Sequence, residues 1–282
     1  MGTDRIERFS AAADAMRCPL CKGALTHQGT SLRCPKGHAF DVSSRGYANL
    51  LPHQKPLKGY DRAFFRERRA LMEQGLYDHV AAMLVDALKQ YLPAREERPL
   101  VVDAGCGEGT YARAVRDALG CRMLAFDLSK DAAYVAAAGN SDVCWAVADV
   151  ADIPVRDGAA SAVVDAFTPA NYSEFVRILK PGGILAKIVP GSEHMRELRH
   201  AARGLIRSES YSNERVASYF AEHFEEVGRL RATQTVELDP AQARSLKAMT
   251  PVLFGVDARE RDAVPVDRIT VDAELLVGRR PE

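Results

Sequence analysis

The chain has 282 residues, 38 Lys+Arg balanced by 38 Asp+Glu, 27% charged and 47% hydrophobic residues. That balance excludes a uniformly basic nucleic-acid coat, an acidic tail protein and a disordered chain, and it allows one or two domains with a sizeable core. No apolar run approaches the roughly 18 residues of a membrane span, and the start MGTDRIERFS lacks the order of a signal peptide, so a cytoplasmic protein free of membrane is expected.

The zero net charge is a sum of unlike parts. Residues 1–98 hold 16 Lys/Arg against 11 Asp/Glu, or +5, while residues 99–282 hold 22 against 27, or −5. In the basic part, three of the six cysteines fall within seventeen residues. In a reducing compartment such clustering favours metal over disulfide. Cys18-x2-Cys21, twelve residues, then Cys34-x3-His38 supplies three thiolates and one imidazole, a closed tetrahedral set for a structural Zn2+. Each pair sits on a tight knuckle, the second around Gly37, and Gly23 to Arg33 is long enough for a hairpin between them. A segment of about 35 residues has too little core to fold alone, so the metal would supply much of its stability. Cys106, Cys121 and Cys144 share no ligand spacing and read as core residues.

From Pro99 the pattern becomes strand and helix in alternation. Leu100-Val-Val-Asp103-Ala104 reads as a strand, Gly105-Cys-Gly107-Glu108-Gly109 as a glycine loop, and Thr110 onward as a helix. Such a loop lets backbone N–H groups approach a ligand at a helix N-terminus. Met123–Asp127 is a second strand ending in an acid 20 residues after Gly107, where a ribose is held, and Val143–Ala148 a third, ending at Asp149. The three ends line up at the carboxyl edge of a parallel sheet. The loop reads Gly-x-Gly-x-Gly, unlike the dinucleotide pattern. Asp103 and Glu108 would repel a phosphate and suit a cation, which points to S-adenosylmethionine, with its ammonium and sulfonium.

Two resemblances follow from these residues. Val101–Gly109 with Asp127, Asp149 and Leu179-Lys-Pro-Gly-Gly183 resembles class I S-adenosylmethionine-dependent methyltransferases. Adding the front cysteines, Arg45-Gly-Tyr-Ala-Asn-Leu-Leu51, Arg68-Arg69 before Gly75-x-Tyr77, Pro169-Ala-Asn171, Pro190-Gly-x3-His194 and Met249-Thr-Pro251, the chain resembles the RlmA family of 23S ribosomal RNA guanine-N1 methyltransferases, nearer its RlmA(II) branch, which includes tylosin-resistance enzymes. The resemblance implies an α/β fold, Rossmann-like, with a seven-stranded mostly parallel sheet and a small N-terminal zinc ribbon. It implies Zn2+ on Cys18, Cys21, Cys34 and His38, and S-adenosylmethionine on Tyr77, Gly107, Glu108 and His194, beside Asp103, Gly105, Asp127 and Asp149. It also implies a 23S ribosomal RNA hairpin as partner, and dimers of the kind family members form.

For transfer to guanine N1, a proton must leave the base. Asp165, close to the end of the strand Val163-Val-Asp-Ala-Phe167, is a candidate acceptor, though alternation can equally bury it. Asn171 could hydrogen-bond a guanine edge or cap the helix Tyr172–Leu179. Lys22, Arg33, Lys36, Arg45, Lys55, Lys58, Arg62, Arg66, Arg68 and Arg69 are candidates for RNA phosphates. Phe254 and Phe167 are candidates to stack a flipped base, and Trp145 reads as core. The chain divides into a ribbon over 1–52, a linker over 53–60 and a methyltransferase domain over 61–282. Two other classes stay open on the residues: a small-molecule methyltransferase of the same architecture, and an inactive zinc-ribbon RNA-binding protein. C-terminal expectations are helices over Ser192–Arg207 and Asn213–His223, strands over Phe224–Arg231 and Thr233–Leu238, a helix over Pro240–Met249 and a last strand over Arg268–Val277.

Overall fold

A computed structural model of the chain describes residues 7–9, 11–51, 59–93, 97–139, 142–206 and 212–282. Lys55 and Lys58 lie outside the described residues. Three short strands, β1 (Thr26–Gln28), β2 (Ser31–Arg33) and β3 (Ala39–Asp41), form the antiparallel ribbon. The hairpin expected between the knuckles is β1–β2, with His27 opposite Leu32.

The central sheet has eight strands among the described residues. Six run parallel, in the order β4 (Tyr47–Asn49), β7 (Val143–Val147), β6 (Arg122–Asp127), β5 (Leu100–Ala104), β8 (Ala160–Ala166) and β9 (Leu179–Pro190). The antiparallel strand β11 (Arg268–Arg279) joins β9, and β10 (Glu225–Glu237) pairs antiparallel to β11 on the outer edge. Seven strands were expected; the eighth, β4, comes from the N-terminal segment and extends the sheet beside β7. The ribbon also packs against the sheet. Leu25, Leu32 and Phe40 of the ribbon belong to one buried cluster with Leu124, Phe126 and Val163.

Residues of alternate parity along the same strands face the other side. Val101, Ala125 and Val164 pack with helices α1 (Arg62–Glu73) and α2 (Asp78–Tyr91), through Phe65, Leu71, Val80 and Leu84. Covered on both faces, β5, β7 and β8 are buried at every position, which is why they read as continuous apolar runs. The other helices are α3 (Thr110–Leu119), α4 (Lys130–Ala136), α5 (Tyr172–Ile178), α6 (Arg196–Ala201), α7 (Glu214–Ala221), α8 (Pro240–Met249) and α9 (Ala258–Ala263). Helix α8 has the bounds expected, with Asp239 and Gln242 forming a capping box and Pro240 in its first turn. Two expectations are corrected. The two strands over Phe224–Leu238 are one, because β10 pairs with β11 along its whole length, past one irregularity at Glu226 and Gly228. The helix expected over Ser192–Arg207 is confined to Arg196–Ala201. No helix among the described residues is long and apolar enough to cross a membrane.

Candidate active site and metal centre

The ribbon brings its four expected ligands together. Sγ of Cys18, Cys21 and Cys34 and one ring nitrogen of His38 all lie within 4.8 Å of one another. The Nδ1 of His38 stands 3.5 Å from Cys18 Sγ and 3.4 Å from Cys34 Sγ, and Cys21 Sγ is 3.6 Å from Cys34 Sγ. A tetrahedral ion with bonds of about 2.3 Å to sulfur and about 2.0 Å to nitrogen sets its ligand atoms roughly 3.5–3.8 Å apart, so the cluster fits Zn2+. Local backbone makes this possible. Lys22 N donates to Cys18 O and Gly37 N to Cys34 O, and Lys22 and Gly37 turn the chain with φ of 61° and 85°. His27 is not among the four. Cys106, Cys121 and Cys144 are free and buried in the core.

The strand order reverses between β5 and β8, and at the carboxyl ends there a cavity of about 590 Å3 opens, the position where open α/β sheets bind ligands. Tyr77, Gly105, Gly107, Glu108, Asp127, Asp149 and His194 line it. The glycine loop is held by pairing into the next strand. Gly105 N and Cys106 N both donate to Phe126 O at 2.9 Å, and Gly107 N donates to Asp127 Oδ2 at 2.9 Å. Gly109, with φ 86°, is also a packing requirement, since a Cβ there would stand 2.3 Å from the Trp145 ring, which is fully buried core.

Asp103 is the exception among the expected cofactor residues. It lies buried beneath the loop and does not line the cavity; Glu108, Asp127 and Asp165 add their charges to burial and hold its carboxyl well above the usual range. Burial also raises Asp127, opposed by the N–H groups of Ser129 and Gly107. Burial lowers His194 to about 4. Because the backbone N–H of Asp272 donates to its Nδ1 at 3.3 Å, the ring is neutral with its proton on Nε2. Tyr77, pushed up to about 12 by burial, packs edge-on to Phe167 with ring centres 6.0 Å apart.

Several lining residues were not anticipated from the sequence. Tyr60, Phe64 and Phe65 bring an aromatic wall, and the Met249-Thr-Pro251 motif closes the cavity on another side. Tyr111 also lines it, and its buried hydroxyl has no hydrogen-bond partner. Arg68, expected to meet RNA, instead donates from Nε to Glu108 Oε2 at 2.7 Å inside the cavity. The orphaned Tyr111 hydroxyl, the paired Arg68 and Glu108, and the ribose acid Asp127 beside apolar Phe126, Leu128 and Val150 fit S-adenosylmethionine. They offer a hydroxyl and a guanidinium for its carboxylate, carboxylates for its cationic groups and ribose hydroxyls, and an apolar slot for adenine. When bound, the cofactor supplies an electrophilic methyl group on sulfonium sulfur.

The two candidate catalytic residues stand elsewhere. Asn171 is the N-cap of α5: its Oδ1 accepts from Glu174 N at 3.3 Å and its Nδ2 donates to Val150 O at 3.1 Å, so it takes the capping role and is not among the residues lining the cofactor cavity. Asp165 is fully buried on β8 and paired with Lys187 of β9 at 2.9 Å; it does not line the cofactor cavity. Burial pushes its carboxyl up to about 6 against the pull of that ammonium.

Much of the basic front is also internally engaged. Lys22 pairs with Asp152, Arg62 pairs with Asp131 and lies over Tyr134, and Arg69 bonds Glu73 and the carbonyl oxygens of Val135, in the last turn of α4, and Ala138 just after it. Arg33, Lys36 and Arg66 are exposed. Phe254 is 40% exposed and edges against Tyr60 at the cavity rim.

Comparison with known proteins agrees with both parts of the chain. The family model described as "RlmA, N-terminal" matches residues 16–56, and that described as "Methyltransferase domain" matches residues 101–183. A Streptomyces fradiae protein named 23S rRNA (guanine(748)-N(1))-methyltransferase is 36% identical over 247 residues, 87% of this chain and 88% of its own. The Bacillus subtilis (strain 168) protein YxjB, provisionally named a 23S rRNA (guanine-N(1)-)-methyltransferase, is 34% identical over 94% of this chain and 96% of its own. Among solved structures, a chain from the complex between the Haloferax volcanii Trm112 methyltransferase activator and a provisionally assigned methyltransferase shares the fold, with a TM-score of 0.50 and 21% identity over 78% of this chain and 98% of that one. A zinc-ligand cluster, a class I methyltransferase sheet and relatives of this identity along nearly the whole chain together show that the protein belongs to the family of 23S rRNA (guanine-N1)-methyltransferases.

Proposed function

We propose that this protein transfers the methyl group of S-adenosylmethionine to N1 of one guanine in 23S ribosomal RNA. The observation that carries the reading is the joining of ribbon and cofactor site in one packed body, matched along 88% of the Streptomyces fradiae relative. The carboxylates and neutral His194 around the cavity suit a cationic cofactor, while the exposed Arg33, Lys36 and Arg66 suit phosphate contacts on a folded RNA. The acceptor in this reading is a base flipped from an RNA hairpin, met in the cytoplasm, and a second copy of the chain would widen the RNA surface. Purified protein, tritiated S-adenosylmethionine and ribosomal RNA from a strain lacking the gene test it. Label should enter 23S RNA, with a new primer-extension stop at one guanine. Unlabelled ribosomal RNA alongside labelled small molecules would turn the assignment towards a small-molecule substrate.

A further inference from the structure

Beside the cofactor cavity lies a second cavity of about 750 Å3, and the two share Phe167, Thr168, Pro169 and Pro190. Its other walls include Lys187 from β9 and Arg215, Tyr219 and Glu222 from α7 and the residue after it. Phe167, in the shared wall, is held at φ 57°, a left-handed backbone that non-glycine residues rarely take and that collects at functional sites. Tyr219 is 51% exposed, and its ring packs against Tyr172 and His223 at centre distances of 5.2 and 4.6 Å. An aromatic face so supported and so exposed is a platform for a nucleobase.

Lys187 is 4% exposed, and its Nζ donates to Asp165 Oδ2 and to Thr168 O, each at 2.9 Å. An ammonium has three donors, so one N–H is left for the cavity that Lys187 lines. Packing does not account for this arrangement, because two apolar side chains of like size would hold the sheet at lower cost than a buried ion pair. Asp165 Oδ1 has no partner, so the carboxylate is committed on one side only, to the lysine.

We propose that the second cavity receives the acceptor guanine, that Lys187 is a catalytic residue meeting its O6, that Asp165 positions Lys187, and that Tyr219 stacks on the base. The proposal rests on the guanine-N1 reading above. When the N1 proton leaves, charge moves onto O6, and an ammonium placed there stabilises it at the moment it develops. N1 forms its bond to the methyl carbon as the carbon–sulfur bond breaks and its electron pair returns to sulfur. The N1 proton passes to water at the cavity mouth, where Tyr219 and Glu222 are exposed, and Lys187 stays protonated throughout. An adenine would meet the same ammonium with an amino group, donor against donor, so the arrangement also selects the base.

Single-turnover methylation of 23S rRNA by the full chain, read as a function of pH, tests the proposal. Lys187→Met should bind S-adenosylmethionine within about threefold of wild type by calorimetry and methylate on the order of 10²–10³-fold more slowly. Its rate should climb about tenfold per pH unit, because only base that has already lost its proton reacts. Lys187→Arg should recover part of the rate. Should Lys187→Met fail to fold with Asp165 left alone, Asp165→Asn combined with Lys187→Met removes both charges and must show the same rate and pH profile. Tyr219→Ala should raise KM for RNA about tenfold with cofactor affinity unchanged. Near-wild-type rate and pH profile in Lys187→Met, alone or with Asp165→Asn, or an unmoved KM in Tyr219→Ala, would overturn the proposal. If wild-type protein itself leaves guanine N1 of 23S rRNA unmethylated, the underlying functional reading fails instead.

Discussion

Arg68 of helix α1 donates from Nε to Glu108 Oε2 at 2.7 Å, tying the first helix of the methyltransferase fold to the glycine loop across the cofactor cavity. The Glu108 side chain is 2% exposed and that of Arg68 19%, so the pair is screened little by water. It also explains why an acid can stand inside a loop that must admit a ligand carboxylate.

Removing one partner of a buried pair costs about 3–5 kcal/mol, because the other charge is left uncompensated. Arg68→Met should therefore lower the thermal midpoint clearly and weaken S-adenosylmethionine binding more than tenfold. Arg68→Met combined with Glu108→Gln should regain most of the stability and none of the affinity. Thermal denaturation with calorimetry on the three proteins separates these effects, and an unstable double variant would contradict the pairing argument.

Zinc is expected at one equivalent per chain, released on Cys34→Ser. Structural zinc in small ribbons contributes about 10–16 kcal/mol to folding. The ribbon shares its buried cluster with Phe126 and Val163, so losing the ion should lower the stability of the whole chain and not of an appended module alone. Metal content by atomic emission, set beside a single or split thermal transition, checks this. A folded, metal-free Cys34→Ser protein with wild-type melting would contradict it.

His194 is lowered by burial to about 4, whereas an unfolded chain titrates its histidines near 6.5. The unfolded state thus binds a proton between those values that the folded state does not. Stability from this group is fully present above about pH 6.5 and is lost as pH falls towards 4, by roughly 3 kcal/mol for a well-buried ring. Urea unfolding of wild type and His194→Gln across that range should converge at the acid end; parallel curves would contradict the neutral assignment.

Gly109→Ala combines a left-handed backbone with a Cβ placed 2.3 Å from Trp145, which is fully buried. Strain and overpacking together are expected to cost about 3 kcal/mol, read as a lower urea midpoint at unchanged slope. Trp145→Phe in the same chain relieves the contact but not the backbone, so it should restore only part of the loss.

What local chemistry determines was legible in the residues alone. The four zinc ligands lie on two short knuckles, and spacing within a knuckle settles their geometry. Glycine loop, strand-end acids and the capped helix at Pro240 are likewise written within a few neighbouring positions. The strands β5, β7 and β8 announced themselves as apolar runs because both faces of a parallel sheet are covered. Tertiary structure decided the rest, because sheet order and register bring together residues far apart in the chain. A row of arginines on α1 reads as a basic face until β5 and α4 come beside it; then Arg68 turns inward to Glu108, Arg69 binds the C-terminal end of α4, and Arg66 is left in solvent. Asn171 caps its own helix through Glu174 N, a local contact, and the fold adds Val150, whose carbonyl accepts from the Asn171 amide. Lys187 had no distinguishing spacing at all, and only the register of β9 against β8 places its ammonium on Asp165 and on the wall of the second cavity.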